Sequence, residues 1–343
     1  MQYIRVDANE RIGTGHVMRC LSIAKELRNR QEETVFLIAD SDSSELISEH
    51  GFPFICLSSV WNDLEYEMDV LIQVIVEQNI SRLLIDSYFV TKPYLEIIGR
   101  YTKIIYLDDL NRFIYPVDFL VNYNFYAENL DYSFRYREAG LETKFVLGSQ
   151  YVPLRKEFSS VTRTINQKVS NILISTGGTD PYNVAGELLL ALTRQVWFEN
   201  YDYYVIIGKY NKNQDTLKLQ WGDKRNVHLI CNCTNLADYM KTCDIAITAG
   251  GVTTYELCAC GIPSIMYTLA DNQLDIAKTV SDRNLIPWTG DVRTDRDSCM
   301  EAILRYIELF SHNYSLREKI CKDMQRAVDG NGVERLAAIL LTV

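Results

Sequence analysis

The sequence predicts an α/β protein built of two doubly wound, parallel-sheet domains that face a cleft. Short apolar runs alternate with amphipathic segments of helical length in both halves of the chain, as in parallel sheets covered by helices on both faces. The chain has 343 residues, which is more than one hydrophobic core usually supports. Because the periodicity lapses in a polar stretch near 150–168, we place the domains at 1–155 and 165–343.

The elements follow from the apolar runs. In the N-terminal half we predict strands at 2–8, 33–39, 52–57, 82–88, 104–108 and 118–123. The clearest helix covers 15–30, where apolar residues recur at helical spacing. In the C-terminal half we predict strands at 170–176, 203–208, 226–231, 244–249 and 263–268. The last segment, 315–343, is expected to form one or two helices interrupted at 329–332.

Charge and hydropathy limit the partners of this chain. The net charge is −10, so we expect no broad basic surface of the kind that binds nucleic acid. The first residues lack the apolar segment of a signal peptide, and no apolar run approaches the roughly 20 residues that span a bilayer. We therefore expect a cytoplasmic protein without membrane insertion.

The nine cysteines are an odd number, and two pairs have the spacing C-x-C, namely Cys231 with Cys233 and Cys258 with Cys260. A zinc site built from these pairs is one interpretation, but structural zinc usually uses wider spacing. We interpret them as reduced thiols and predict neither a metal site nor a cofactor.

The first candidate site is the stretch Ile12-Gly-Thr-Gly-His16, where a strand gives way to a helix. Gly13 and Gly15 bracket the bend, and glycine permits both a positive φ and the close approach of a ligand. His16 then stands in the first helical turn, where the helix dipole disfavours an added positive charge and suits the imidazole to act as a general base. A tight connection followed by a packed histidine is the structural alternative. The stretch lacks the third glycine of the dinucleotide fingerprint.

A second glycine pair, Gly177 and Gly178, joins a strand to a helix in the C-terminal half. Thr179 and Asp180 follow the pair and are good N-cap residues. The backbone amides of such a turn can hold a phosphate group. The alternative is a plain connection between a strand and a helix.

A third turn, at Gly250 and Gly251, is followed by Thr253 and Thr254, either of which can cap the next helix, and by Glu256. The carboxylate of Glu256 can bind the two hydroxyls of a ribose, or it can simply complement the helix dipole. The polar residues Asn272 and Gln273 come directly after the strand at 263–268, at the same expected edge of the sheet.

These motifs resemble known proteins. The segments GGTDPYN and AGGVTTYELCACGIPSI resemble the GT-B glycosyltransferases that use UDP-sugars, among them the N-acetylglucosamine transferase that forms lipid II. The segments RVDANERIGTGHVMRCLSIAKEL, LLIDSY and YVPLRKEF resemble a narrower group, the UDP-sugar hydrolase of pseudaminic acid biosynthesis and related spore-coat polysaccharide proteins. The resemblance covers roughly residues 2–290.

The resemblance implies a GT-B fold of two Rossmann-like domains, with the UDP part of the substrate on the C-terminal domain. It implies that His16 is the base that activates water, that Tyr88 and Asn272 contact the sugar, that Arg155 contacts the nucleotide and that Glu256 binds the ribose. The implied activity is metal-independent hydrolysis of a UDP-activated deoxy-diacetamido sugar, which releases UDP. A glycosyltransferase with a UDP-sugar donor and a non-catalytic sugar-nucleotide-binding protein are the alternatives. The oligomeric state is not defined by these motifs.

Overall fold

The computed structural model describes residues 1–208, 210–231, 233 and 235–343. These residues form two compact units, one made of residues 1–156 together with 331–343 and the other of residues 157–330. Each unit contains one parallel β-sheet with helices. The predicted α/β class with two doubly wound sheets is therefore confirmed.

The first unit is built on seven strands: β1 (Gln2–Val6), β2 (Thr34–Ile38), β3 (Phe54–Cys56), β4 (Arg82–Asp86), β5 (Lys103–Leu107), β6 (Phe119–Asn122) and β7 (Lys144–Leu147). All neighbouring strands pair in parallel, in the order β3-β2-β1-β4-β5-β6-β7. Six of the seven strands were predicted. The seventh, β7, was not predicted from the sequence.

The helices of this unit are α1 (Gly15–Asn29), α2 (Ser44–Glu49), α3 (Met68–Glu77), α4 (Lys92–Ile98) and α5 (Tyr132–Glu138). The apolar stripe of α1 packs on one face of the sheet, where Val17 and Leu21 share a buried cluster with Ile4 and Val6 of β1. This packing fixes the beginning of α1 beside the carboxyl ends of the central strands.

The opposite face of β1 carries a buried charge. Because side chains alternate along a strand, Tyr3 and Arg5 point away from the side that Ile4 and Val6 occupy. Arg5 is fully buried and donates two hydrogen bonds to Glu67, at 2.7 and 2.6 Å. It also donates to Asp7, which follows β1. Burial alone lowers the pKa of Arg5, but the charges of Glu67 and Asp7 outweigh burial and raise it.

The described residues of the second unit form six strands: β8 (Asn171–Ser175), β9 (Asp202–Ile207), β10 (Val227–Cys231), β11 (Ile245–Ala249), β12 (Ser264–Thr268) and β13 (Trp288–Asp291). They form one parallel sheet in the order β10-β9-β8-β11-β12-β13. Sequence analysis missed β13, whose residues WTGD include two poor strand formers.

The helices of the second unit are α6 (Val184–Thr193), α7 (Gln214–Trp221), α8 (Leu236–Thr242), α9 (Thr253–Cys260), α10 (Leu274–Asp282), α11 (Arg296–His312) and α12 (Tyr314–Ala327). The helix α9 is short and is followed by Gly261, which adopts a left-handed conformation with φ of 62°. Across the described part of the chain, no helix has the length and apolar character needed to cross a membrane.

The last helix, α13 (Gly332–Leu340), lies in a different unit from the one that the sequence-based division at 165–343 assigns to it. Its apolar residues Leu336 and Leu340 share the buried cluster of α1 and β1. Arg30, after the end of α1, donates to the carbonyl of Glu334 at 3.0 Å. The sequence showed the interruption before this helix but not the surface that buries its apolar stripe.

Candidate active site

The turn between β1 and α1 has the conformation that its glycines predict. Gly13 has a φ of 72°, and its amide donates to the carbonyl of Asn9 at 2.8 Å. The side chain of Asn9 accepts from the amides of Arg11 and Ile12, at 2.9 and 3.1 Å. Gly15 is the first residue of α1, and a Cβ there would meet no atom within 4 Å. The turn therefore leaves open space in front of the first turn of α1.

His16 forms a hydrogen-bonded pair with Asp86, the last residue of β4. The distance between His16 Nδ1 and Asp86 Oδ1 is 2.6 Å, and both side chains are buried. The two residues meet because β1 and β4 are paired neighbours, with Val6 opposite Asp86. A carboxylate accepts, so Nδ1 carries the proton and Nε2 is left as the acceptor. This is the tautomer that a general base requires.

Arg19, one helical turn after His16, holds the other side of Asp86. Its Nε donates to Oδ2 at 2.6 Å, and its Nη2 donates to Oδ1, the atom that also accepts from His16. Nη2 lies 3.1 Å from His16 Nδ1 because both donors meet the same oxygen. Burial by itself raises the pKa of Asp86, but the charge of Arg19 and the hydrogen bonds that Arg19 and His16 donate hold it well below its ordinary value. Asp86 is therefore an ionised acceptor for His16.

Tyr88 is also brought to His16. The two rings meet edge to face, with centroids 4.4 Å apart. The hydroxyl of Tyr88 donates to Asp109 Oδ2 at 3.2 Å, and Arg19 Nη1 donates to the same oxygen at 2.7 Å. Burial, followed by the charge of Asp109, raises the pKa of Tyr88, so the phenol keeps its proton. Tyr88 thus offers a ligand its oxygen as an acceptor.

The site contains two residues that sequence analysis did not propose, Asp86 and Arg19. Asp86 lies in the segment LLIDSY, close to the carboxyl end of a predicted strand. Because ligands of parallel sheets bind beyond the carboxyl ends of the strands, this position could have identified Asp86 as a candidate site residue. Arg19 stands three residues after His16, on the same helix face. Asp109 lies beside these residues and accepts from Arg19 and Tyr88.

A small cavity of about 10 Å³ lies beside His16, within the first unit. Its polar lining includes Asp7, Ser87 and Tyr88. Its apolar lining is formed by Ile12, Trp61 and Phe89. The rings of Trp61 and Phe89 pack edge to face, with centroids 5.1 Å apart.

Asp7 connects this cavity to the buried ion cluster of β1. Its Oδ1 accepts from the amide of Ala39 at 2.8 Å, and its Oδ2 accepts from Arg5. Burial raises the pKa of Asp7, and the charge of Arg5 opposes that effect. Asp7 is therefore held rigidly by two donors where it lines the cavity.

In the second unit, Gly177 and Gly178 follow β8 and are exposed. Their turn lies close to Gly208, after β9, where a Cβ would stand 2.3 Å from the carbonyl oxygen of Gly178. Only glycine permits that approach. Thr179 is also exposed. Its role in binding stays a prediction.

The structure turns Asp180 inward, which corrects its proposed role in binding. Asp180 is fully buried, and its carboxylate accepts from the amides of Val184 and Ala185, at 2.7 and 3.0 Å. These amides open α6, so Asp180 caps the helix that we expected to hold a phosphate. The amides that it occupies are not available to a ligand.

The turn at Gly250 and Gly251 leads from β11 into α9. Thr254 accepts from the amide of Gly251 at 3.3 Å, whereas α9 has no side-chain cap from its N-cap residue, Val252. Thr253 is the first residue of α9, and Glu256 lies half-buried in its first turn, as predicted.

The loop after β12 meets this turn. A Cβ on Gly250 would lie 3.3 Å from Cβ of Gln273, so these two predicted residues are close together. The side chain of Gln273 accepts from the amide of Leu269 at 2.8 Å, while Asn272 is exposed. Arg155, in contrast, is half-buried near the end of residues 1–156 of the first unit.

The described residues contain no group of three or more His, Cys, Asp or Glu side chains placed to hold a metal ion. All nine cysteines are free thiols.

No protein-family model matches the chain. The chain is 25% identical over 344 residues to the spore coat polysaccharide biosynthesis protein SpsG of Bacillus subtilis, a match that covers 98% of this chain and 96% of SpsG. It is 28% identical to the UDP-2,4-diacetamido-2,4,6-trideoxy-beta-L-altropyranose hydrolase of Campylobacter jejuni, over 69% of this chain and 80% of that protein.

The fold is shared with solved structures, among them the following two. MurG of Acinetobacter baumannii matches with a TM-score of 0.73 and 13% identity, over 100% of both chains. HepE of Anabaena in complex with UDP-glucose matches with a TM-score of 0.60 and 13% identity, over 100% of this chain and 99% of HepE. The resemblance seen in the motifs is confirmed: the chain has the GT-B fold and is similar in sequence to SpsG and to the Campylobacter UDP-sugar hydrolase.

Proposed function

We propose that this protein hydrolyses a UDP-activated deoxy-diacetamido sugar at its anomeric carbon and releases UDP and the free sugar. The observation that carries the proposal is the pair formed by His16 and Asp86, at 2.6 Å, beside a small cavity. The similarity to the Campylobacter hydrolase supports this substrate class, and the similarity to SpsG supports a place in surface polysaccharide or nonulosonic acid biosynthesis.

In the proposed reaction, Nε2 of His16 removes a proton from water as the water oxygen attacks the anomeric carbon. The bond from that carbon to the UDP oxygen breaks, and UDP leaves with the bonding electrons. A single displacement inverts the anomeric centre. Asp86 stabilises the imidazolium that forms, because it is ionised and already accepts from Nδ1. Tyr88 lies against the His16 ring and accepts from a hydroxyl or amide of the sugar.

We assign the UDP part to the second unit. Glu256 binds the ribose hydroxyls, and the turn at Gly250 and Gly251 presents the beginning of α9 to the diphosphate. Asp180 already accepts from the first amides of α6. We therefore propose that the exposed turn of Gly177 and Gly178, rather than those amides, contacts the diphosphate.

The remaining predicted residues complete the assignment. Thr179 and Thr253 supply hydroxyls to the nucleotide, and Asn272 and Gln273 lie on the sugar side. Arg155 contributes positive charge for the leaving group, so we propose that turnover needs no metal ion.

The test is release of UDP from a panel of UDP-sugars, including UDP-2,4-diacetamido-2,4,6-trideoxy-β-L-altropyranose, with no acceptor present. We expect UDP and free sugar in equal amounts. UDP release that requires an added acceptor would identify a glycosyltransferase instead, an activity compatible with the fold shared with MurG. Binding of UDP-sugar without release would identify a non-catalytic binding protein.

A further inference from the structure

The cavity beside His16 has the size of a single water molecule. Its volume is about 10 Å³, at the lower limit of the roughly 10–15 Å³ that one water needs. A buried water also needs two to four polar partners, and the polar lining offers Asp7, His16, Ser87 and Tyr88. The cavity therefore meets both requirements for holding one water.

The lining also supplies acceptors for both protons of that water. His16 presents Nε2, since its Nδ1 proton is donated to Asp86. Asp7 presents a carboxylate, which its bonds from Ala39 and Arg5 keep in place. The second acceptor is rigid because Arg5 is itself clamped by Glu67.

The remaining walls are bulky and apolar. Trp61 and Phe89 pack against each other, and Ile12, from the turn before α1, lines the same space. A methyl group attached to the oxygen would need room that these side chains fill. These three side chains leave little space beside the water position for a carbon atom attached to its oxygen.

We propose that this cavity is the site of the nucleophilic water, that Asp7 is its second acceptor, and that Trp61 and Phe89 make the protein a hydrolase by excluding alcohols. This inference rests on the proposed function and names the feature that selects its acceptor. In the step, one water proton passes to His16 Nε2 while the other stays on the oxygen, hydrogen-bonded to Asp7. The oxygen bonds to the anomeric carbon as the bond to UDP breaks.

The experiment is a competition between water and methanol. The probe is UDP-2,4-diacetamido-2,4,6-trideoxy-β-L-altropyranose in buffer that contains methanol, with UDP release measured and the sugar products separated. We expect the wild type to yield free sugar and no methyl glycoside. Trp61→Ala and Phe89→Ala each open the wall, so we expect methyl glycoside from both. The control is Phe134→Ala, which truncates an exposed aromatic residue of the same unit outside the cavity and should behave as the wild type.

The outcomes separate this inference from the proposed function. Absence of UDP release from the wild type with every UDP-sugar would overturn the proposed function. If the wild type makes both free sugar and methyl glycoside, in proportion to the methanol present, the proposal that the cavity selects water over alcohols is wrong. The same conclusion follows if both opened variants release UDP but make free sugar alone.

Asp7 has its own test. Asp7→Asn can still accept from Ala39 but holds the water less strongly, so we expect kcat to fall at least about tenfold with KM unchanged. The melting temperature of the same preparation shows whether it is folded. A folded Asp7→Asn protein with wild-type kcat would remove Asp7 from the water site, and Ser87→Ala then tests the other polar wall in the same assay.

Discussion

The imidazole of His16 and the carboxylate of Asp86 are joined at 2.6 Å between Nδ1 and Oδ1, which ties the first turn of α1 to the end of β4. Because Arg19 holds the same carboxylate, the orientation of His16, the proposed base, depends on both Asp86 and Arg19.

Replacing His16 with Asn should remove the base while keeping a polar side chain of similar reach. We expect the rate of UDP release to fall by about 10²–10⁴, the usual contribution of a general base. UDP affinity should barely change, because we assign UDP to the second unit. Calorimetry with UDP and the rate assay are done on one preparation. Near-normal turnover would return His16 to a structural role, and joint loss of binding and turnover would indicate a folding defect.

Replacing Asp86 with Asn should alter the pH dependence of stability. The pKa of Asp86 in the folded protein lies below its ordinary value, near 3.9 in model peptides. Its contribution is therefore present above that ordinary value and is lost as the pH falls through the lower folded pKa. We expect Asp86→Asn to cost about 1–3 kcal/mol at pH 7 and to flatten the loss of stability below about pH 4. Urea unfolding at several pH values measures both effects, and an unchanged acid slope would contradict the assignment.

Replacing Arg19 with Gln should shift the acidic side of the pH profile of kcat/KM to higher pH. Burial still raises the pKa of Asp86 in this variant, whereas the guanidinium charge of Arg19, which contributes most to lowering it, is gone. Asp86 then takes a proton at higher pH and no longer orients His16, so the decline of kcat/KM on acidification should begin at higher pH. Arg19→Lys keeps the positive charge, so we expect it to shift the acidic side of this pH profile less than Arg19→Gln does. Arg30→Gln, on an exposed ion pair of the same unit, is the control. A lower rate with an unshifted pH profile would assign Arg19 a packing role alone.

Replacing Glu256 with Ala should weaken UDP binding by roughly 1.5–3 kcal/mol, the range for charge-assisted hydrogen bonds. The matched control is Glu187→Ala, which removes an acid from the first turn of α6 instead of α9. Calorimetry with UDP compares the two variants. Equal UDP affinity in the wild type and in Glu256→Ala would refute the ribose assignment.

Chelation of metal ions should leave the rate of turnover unchanged. We propose that the beginning of α9 and Arg155 stabilise the negative charge of the leaving diphosphate, so that no metal ion is needed. The measurement is UDP release after dialysis against EDTA, with and without added magnesium. Activity that disappears on chelation and returns with magnesium would show that the leaving group requires a metal ion.

The sequence by itself determined the architecture and several positions in it. Continuous apolar strands alternating with amphipathic helices identified eleven of the thirteen strands that the described residues form, since burial on both faces produces that pattern. The glycine turns were placed at strand ends, because a turn that needs positive φ constrains the residue type locally. His16 and Tyr88 were recognised from motifs, and the structure brings their rings together.

Only the tertiary structure decided which side chains meet. Asp86 and Arg19 looked like ordinary strand-end and helix-surface residues until the pairing of β1 with β4 placed them around His16. Asp180 had the residue type of either a ligand or a cap, and full burial against the first amides of α6 made it a cap. The helix α13 joined the first unit because its apolar stripe is buried against α1, a contact distant in sequence. The local sequence pattern predicts the conformation of a segment. Which residue pairs with a buried charge, and which surface covers an apolar stripe, depend instead on the order of the strands in space.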